Sequence, residues 1–383
     1  MEMIYIAKDI PLWQVTIWDK KFNNVDKKWQ PKTIKYKYLL SDELDSLRVD
    51  DGDVRILYTG KDVGFTTEEL AGDRLSEGEI ISIPWGGIPT VKYHKGKFVT
   101  GDNRIATSKD INKLTNKYLY YFMRGNIHEI ASYYRGASLK HPCMKDILKM
   151  TISYPSVQEQ DKICGQFDVL EQIIEVRKQE LQLLDDLIKA RFVEMFGHPI
   201  INSFVIDTKS MTDVCEIIDG DRGKNYPTAD EFSDEGYCLF LNAKNVTSTG
   251  FNFATCMFVT KEKDEVLRKG KLSRGDVVLT TRGTLGNLAF YTEDIPFEHV
   301  RINSGMVILR MKQDVVDEVY FIEQFKMQLA DIREKIASGS AQPQLPISAM
   351  NKINILTPNI EKQRQFADFV RKVDKSKVVE IIN

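Results

Sequence analysis

The sequence predicts an α+β protein with two similar globular domains separated by a long antiparallel helical coiled coil. Three observations carry this prediction. They are a repeat across the two halves of the 383-residue chain, an apolar seam at helical spacing after the first half, and short β-branched runs bounded by turn residues in both halves.

The repeat comes first, because self-similarity at a fixed offset decides the architecture. The segment from Gly136 aligns without gaps to the segment from Gly339, which sets Lys149 on Lys352, Ile152 on Ile355, Pro155 on Pro358 and Gln160 on Gln363. Apolar character is kept at Met144/Ile347, Ile147/Met350, Met150/Ile353, Val157/Ile360, Ile163/Phe366, Phe167/Val370 and Leu170/Val373. Upstream, Gly78 to Ile81 leads into Trp85-Gly86-Gly87 much as Gly275 to Val278 leads into Arg282-Gly283-Thr284. The chain reads as two diverged copies of one unit, globular part first and helix second.

The helix of the first copy is the clearest local signal. Apolar residues fall at Ile163, Phe167, Leu170, Ile174, Leu181, Leu184 and Ile188, in steps of four and three interrupted at Arg177. That spacing is a heptad seam, which faces a partner helix. The helix is predicted over about Gln158 to Phe196, roughly 58 Å at 1.5 Å per residue. It stops at Gly197, with His198-Pro199 behind it. The second copy repeats the seam at Phe366, Val370 and Val373. A lone heptad helix needs a partner, and its own repeat is the nearest one, so the two are expected to pair antiparallel. The runs Ile80 to Ile83, Val277 to Thr281 and Met306 to Leu309, each bounded by Gly, Asn or Asp, predict strands in the globular parts.

Composition bounds the function. At 42% hydrophobic the chain has material for two or three cores. No run of 18 apolar residues occurs, and Met1-Glu2-Met3-Ile4 lacks the basic-then-apolar start of a secretory signal. A cytoplasmic protein with no membrane contact is expected. The cysteines Cys143, Cys164, Cys215, Cys238 and Cys256 never form C-x-x-C, and the histidines His94, His128, His141, His198 and His299 lack ligand spacing. Neither a disulfide framework nor a metal is predicted. The net charge of −2 hides a segregation: Val91 to Lys149 holds 12 Lys/Arg against four acids, whereas Asp42 to Glu79 holds four basic residues against 12 acids. A positive face is therefore available despite the neutral average.

Both helices begin alike. Pro155-Ser156-Val157-Gln158-Glu159-Gln160 and Pro358-Asn359-Ile360-Glu361-Lys362-Gln363 share the form P-x-apolar-x-[EK]-Q. Physically this is a strand ended by proline, then an acidic first helical turn favoured by the helix dipole. By itself it is only helix initiation. Its recurrence at both helix starts, the second behind Gly339-Ser340-Ala341-Gln342-Pro343-Gln344-Leu345, is where the chain resembles the specificity subunits of type I restriction-modification systems. The resemblance covers essentially the whole length. It implies a first target-recognition domain over 1–157, a central conserved helix over 158–200, a second target-recognition domain over 201–357 and a distal conserved helix over 358–383. The distal helix ends early compared with the central one, a departure that bears on how far the coiled coil extends.

Contacts to DNA are expected where basic, amide and aromatic residues interleave in loops: Lys and Arg neutralise phosphate, Arg bridges guanine and Asn bridges adenine. In the first unit these are Lys92, Tyr93, His94, Lys95 and Lys97 with Asn103 and Arg104, for which a solvated basic hairpin is the competing reading. In the second unit they are Arg222, Lys224 and Asn225, then Lys244 and Asn245, then Thr281, Arg282, Gly283, Thr284 and Asn287. The last group resembles the T-R-G-[ST]-x-G turn of the family's recognition domains. Its glycines admit close backbone approach to a phosphate, and a tight turn capping a strand is the alternative. In the equivalent turn of the first copy, the Trp85 ring is expected in the core and Gly86-Gly87 at the contact.

No G-x-x-x-x-G-K-[ST] loop, no [ND]-P-P-[YF] methyltransferase motif and no convincing G-x-G cofactor loop is present. No catalytic residue is therefore expected, and no cofactor bound directly. The resemblance implies that methylation with S-adenosylmethionine belongs to two modification subunits. It likewise assigns ATP- and Mg-dependent translocation and cleavage to restriction subunits. The chain would then read a bipartite target in double-stranded DNA and scaffold those partners. The rival reading is a coiled-coil protein–protein scaffold without sequence-specific DNA binding, and salt-dependent duplex binding separates the two.

Overall fold

The computed structural model describes residues 7–19, 29–30, 32–60, 63–337 and 344–382, and the segment Gly339 to Pro343 lies outside them. The chain divides into two compact units, 1–175 and 176–383, with the division inside the helix Val157–Phe196. That helix closes at Gly197, whose φ of +73° is left-handed and where a Cβ would lie 2.5 Å from Ser203 Oγ. Glycine is the residue that adopts this cap at little cost.

The first unit is built on a six-stranded sheet in the order Thr16–Trp18, Asn103–Ser108, Ser76–Pro84, Lys92–Thr100, Val54–Leu57, Val63–Thr66. All neighbours run antiparallel except Val54–Leu57 beside Lys92–Thr100. Because side chains alternate along a strand, Ser76–Pro84 serves two cores. Ile81 and Ile83 pack with Leu119, Met123 and Ile130 of the helices Asn116–Gly125 and Ile127–Ser132, while Ile80 faces Leu57, Phe98 and Ile105.

The second unit holds a four-stranded antiparallel sheet in the order Cys215–Asp219, Met306–Met311, Val277–Thr280, Leu288–Phe290. Here Val277, Leu279, Val307 and Leu309 face the helices, and Val278, Met306 and Ile308 face a second, three-stranded layer built on Cys238–Leu241 and Val300–Ile302.

The sheets share a connection: in each, the first strand lies beside the last and the last beside a hairpin, and the first sheet adds the earlier pair Val54–Leu57 and Val63–Thr66 beyond that hairpin. The joints agree as well. Leu12 and Met211 each open a one-turn helix, and their amides donate to Met150 O (2.8 Å) and Ile353 O (2.9 Å). Tyr118 and Tyr320 donate through their hydroxyls to Ser153 O (3.3 Å) and Leu356 O (3.1 Å). The shared glutamine makes one set of bonds twice. Gln160, fully buried, accepts from Thr115 N (2.9 Å) and donates to Lys113 O (2.7 Å) and Pro155 O (2.9 Å). Gln363, also buried, accepts from Asp317 N (3.0 Å) and donates to Val315 O (3.2 Å) and Pro358 O (2.8 Å). A side chain with both donor and acceptor fits this task, since it satisfies the half-buried Thr115 and Asp317 amides at two helix starts and the neighbouring carbonyls together.

Of the predicted seam, Ile188 is buried with Phe366, Val370 and Val373 of the helix Ile360–Ile382, and Leu184 packs against the same core. The direction is opposed: Phe366 meets Phe192 and Phe196, and Lys377 Nζ meets Asp185 Oδ1 at 2.7 Å. Phe192 and Phe196 were not on the seam. They follow Ile188 in steps of four, the period by which a helix packs against a globular core rather than along a heptad seam. Ile163 and Leu181 are half-buried, whereas Phe167, Leu170 and Ile174 stand exposed, Phe167 stacked on Tyr121 at 4.8 Å.

Candidate nucleic-acid interface

In the first unit Lys92, Tyr93, His94, Lys95 and Lys97 lie along the strand Lys92–Thr100 but are largely engaged. Lys92 Nζ donates to Tyr58 O (2.6 Å) and to Gly60 O, Tyr93 OH to Glu79 Oε1 (2.7 Å), and Lys97 pairs with Glu68. His94 lies against Lys97 O at 3.0 Å, and burial pulls its pKa below the usual histidine value. Lys95 is exposed.

Asn103 and Arg104 are corrected from contacts to core. Asn103 donates to Leu57 O (2.9 Å) and Thr100 Oγ1 (3.2 Å). Arg104 is fully buried, with Nη1 on Asp19 Oδ1 at 2.9 Å and Nη2 on Asp102 Oδ1 at 2.5 Å, its guanidinium lying over Trp85 (4.8 Å) and Tyr38 (5.2 Å). Their strand is interior to the sheet, and a buried guanidinium needs carboxylates to offset its desolvation. Trp85 packs on the first core, with its carbonyl 2.6 Å from His141 Nδ1. The Gly87 amide donates to Lys140 O at 3.3 Å, which brings the exposed segment Gly136 to Lys140 against the turn.

The second unit gathers its candidates more tightly. The turn Thr281 to Asn287 joins Val277–Thr280 to Leu288–Phe290, and it is braced from within. Thr280 Oγ1 donates to Thr284 O (2.5 Å), Thr281 Oγ1 to Gly305 O (3.0 Å) and Asn287 Nδ2 to Val246 O (3.0 Å). Arg282, Gly283 and Thr284 remain exposed, with Gly283 at φ +71°. On one flank a cleft of about 230 Å³ is lined by Asp219, Arg222, Thr281, Arg282 and Gln344 together with Val307, Leu345, Pro346 and Ile347, so two separate predicted loops converge there. Arg222 Nη2 is oriented by Asp219 Oδ1 (3.1 Å) and Ser304 O (3.1 Å). The Leu345 amide donates to Thr281 O at 3.1 Å.

On the other flank a cleft of about 690 Å³ is lined by Lys244, Thr247, Ser248, Gly283, Thr284, Asn287 and Arg333 among others. Lys244 is exposed on a loop fixed by Asn245. That residue is buried, not a contact, and donates to Asn252 O (3.0 Å) and Thr255 O (2.7 Å) while accepting from Asn242 N (2.9 Å). Lys224 is exposed, and Asn225 is half-buried with its amide on Val266 O at 3.2 Å.

His141, Gln344 and Arg333 were missed. The alignment from Gly136 and Gly339 already sets His141 opposite Gln344, both beside the turn, so the repeat carried that signal. Arg333, on the helix Glu318–Ala337, had none.

Burial pushes the thiols of Cys164 up to about 11 and of Cys215 and Cys238 up to about 12, which makes them poor nucleophiles. Among the described residues no group of three His, Cys, Asp or Glu is placed to hold a metal, and no helix is long and apolar enough to cross a membrane.

The family model described as Type I restriction modification DNA specificity domain matches residues 44–185 and again 206–383. The S subunit of a type I restriction-modification system from M. genitalium shares the fold at 16% identity and TM-score 0.55, over 99% of this chain and 92% of its own. The HsdS subunit from Thermoanaerobacter tengcongensis aligns at 17% identity and TM-score 0.39, over 88% of this chain and 86% of that one. A chain from work on complex assembly and conformational transition of the type I R-M system aligns at 15% identity and TM-score 0.47, over 99% and 93%. With a specificity domain matched in each half, this chain belongs to the family of type I restriction-modification specificity subunits.

Proposed function

We propose that the chain reads a bipartite sequence in double-stranded DNA through two recognition domains, one per copy of the repeat, and that it has no catalytic chemistry of its own. The observation that carries this is the convergence of Arg222 and Arg282, from loops 60 residues apart in sequence, on one exposed cleft beside the braced Thr281 to Asn287 turn. Two guanidiniums with a neighbouring amide, Gln344, make a donor set suited to base edges in the major groove. The packing of the seam residues Leu184 and Ile188 in one core with Phe366, Val370 and Val373, and the pairing of Lys377 with Asp185, support an antiparallel coiled coil between the two conserved helices.

Two modification subunits would supply S-adenosylmethionine-dependent methylation, and restriction subunits ATP- and Mg-dependent cleavage, all in the cytoplasm. The exposed apolar residues Phe167, Leu170, Ile173 and Ile174 of the central helix favour docking of such partners. The same face favours the rival reading, a scaffold that binds proteins only. Duplex binding by the chain reconstituted with its modification subunits, measured across salt, separates them. A steep fall of affinity with salt and preference for one sequence support DNA reading, and a flat response removes it.

A further inference from the structure

The two flanks of the Thr281 to Asn287 turn differ in chemistry. The Arg222 flank includes an acid, Asp219, and the Gln344 amide beside its arginines, a mixed set of donors and acceptors. The other flank presents the Lys244 ammonium, the Arg333 guanidinium and the hydroxyls of Ser248 and Thr284 beside Ala243, Val246 and Leu285, while the Thr247 hydroxyl donates to Gly250 O (3.0 Å) and the Asn287 amide to Val246 O (3.0 Å). Among the described residues no carboxylate lines it. Ammonium, guanidinium and hydroxyl donors without a competing carboxylate suit an anion with several oxygens. Arg333 also holds the turn itself: its Nη2 donates to Gly286 O, and a Cβ on Gly286, at φ +86°, would collide with the guanidinium. The Lys244 loop is equally set, with its amide donating to Asn242 Oδ1 at 2.9 Å. Gly283 leaves the backbone open, since a Cβ there would meet nothing within 4 Å.

We propose that this flank is a phosphodiester site, in which Lys244 and Arg333 hold a DNA backbone phosphate and set register while the Arg222 flank reads bases. The inference rests on the DNA-reading function proposed above. It adds Arg333 to the interface and divides the labour of one turn between two clefts.

The test titrates target and non-target duplex across salt with the reconstituted complex carrying wild-type chain, Lys244→Ala, Arg333→Ala or Arg333→Lys. Each neutralised phosphate contributes about −0.9 to the slope of log K against log salt on B-DNA, so losing one makes a fourfold rise in salt about 3.5-fold less costly. Lys244→Ala and Arg333→Ala are each expected to flatten the slope by up to that amount. They should weaken both duplexes by one common factor and leave the methylated sequence unchanged, with Arg333→Lys keeping the wild-type slope.

An unchanged slope and affinity in both alanine variants, beside a wild-type complex that binds normally, overturns the phosphate assignment alone. A relaxed methylated sequence overturns it in favour of base reading on this flank. A wild-type complex with neither steep slope nor sequence preference removes the DNA-reading proposal together with this one. If Arg333→Ala unfolds, Lys244→Ala decides the matter, because its side chain is exposed on a loop held by other residues.

Discussion

Replacing Arg104 by methionine separates a reader of DNA from a support of the fold. The guanidinium is buried with Asp19, also buried, at 2.9 Å and with Asp102 at 2.5 Å, between the rings of Trp85 and Tyr38. Arg104→Met keeps most of the volume but removes the guanidinium that offsets the buried Asp19 carboxylate. Breaking one side of a buried pair costs about 3–5 kcal/mol. Asp19 retains the Ile105 amide through its other oxygen (2.8 Å), so the lower half of that range is expected. For a unit of this size each kcal/mol is worth roughly 2–4 °C, so the melting temperature should fall by about 6–16 °C. The double variant Asp19→Asn/Arg104→Met should recover part of the loss. Thermal unfolding by circular dichroism reads the shift, and duplex binding measured well below the transition should be near normal. A variant that melts at the wild-type temperature yet no longer binds its target would refute the structural role and return Arg104 to the contact surface.

Three further outcomes follow from the same geometry. Arg222→Ala and Arg282→Ala should each weaken specific binding by about 1–3 kcal/mol with the melting temperature nearly unchanged, as for a lost bidentate base contact, and normal target affinity in either rejects that residue. Gln363→Ala, which orphans the Asp317 amide and the Val315 and Pro358 carbonyls, should lower stability by about 2–4 kcal/mol in urea. A wild-type midpoint would show those groups to be solvated. Deleting the heptad Leu181 to Leu187 shortens the central helix by about 10.5 Å and should narrow the gap between half-sites by up to about three base pairs. An unchanged gap in an active complex rules out a role for the helix as a ruler.

What could be read from sequence was the connectivity; what could not was the assignment of individual polar residues. The central helix, predicted from Gln158 to Phe196, spans Val157–Phe196, because period and a glycine stop are local properties. The recurring glutamine could be seen as a pattern, but its bonds to Thr115 and Asp317 depend on helices about 45 residues upstream. Arg104 looked like a contact because Asp19, which neutralises it, is 85 residues away in sequence. Asn245 looked like one because an asparagine in a polar run reads as exposed until the loop closes on it. Arg333 lies on a helix with no motif, and only the fold brings it to Gly286.

The central claim is that each half of the chain reads its own half of the target. The most direct measurement is to exchange residues 201–357 for the corresponding domain of a relative, reconstitute the complex, and map methylated adenines by single-molecule sequencing. The account predicts that one half of the methylated sequence changes and the other is kept. A change in both halves, or in neither while methylation continues, would contradict it.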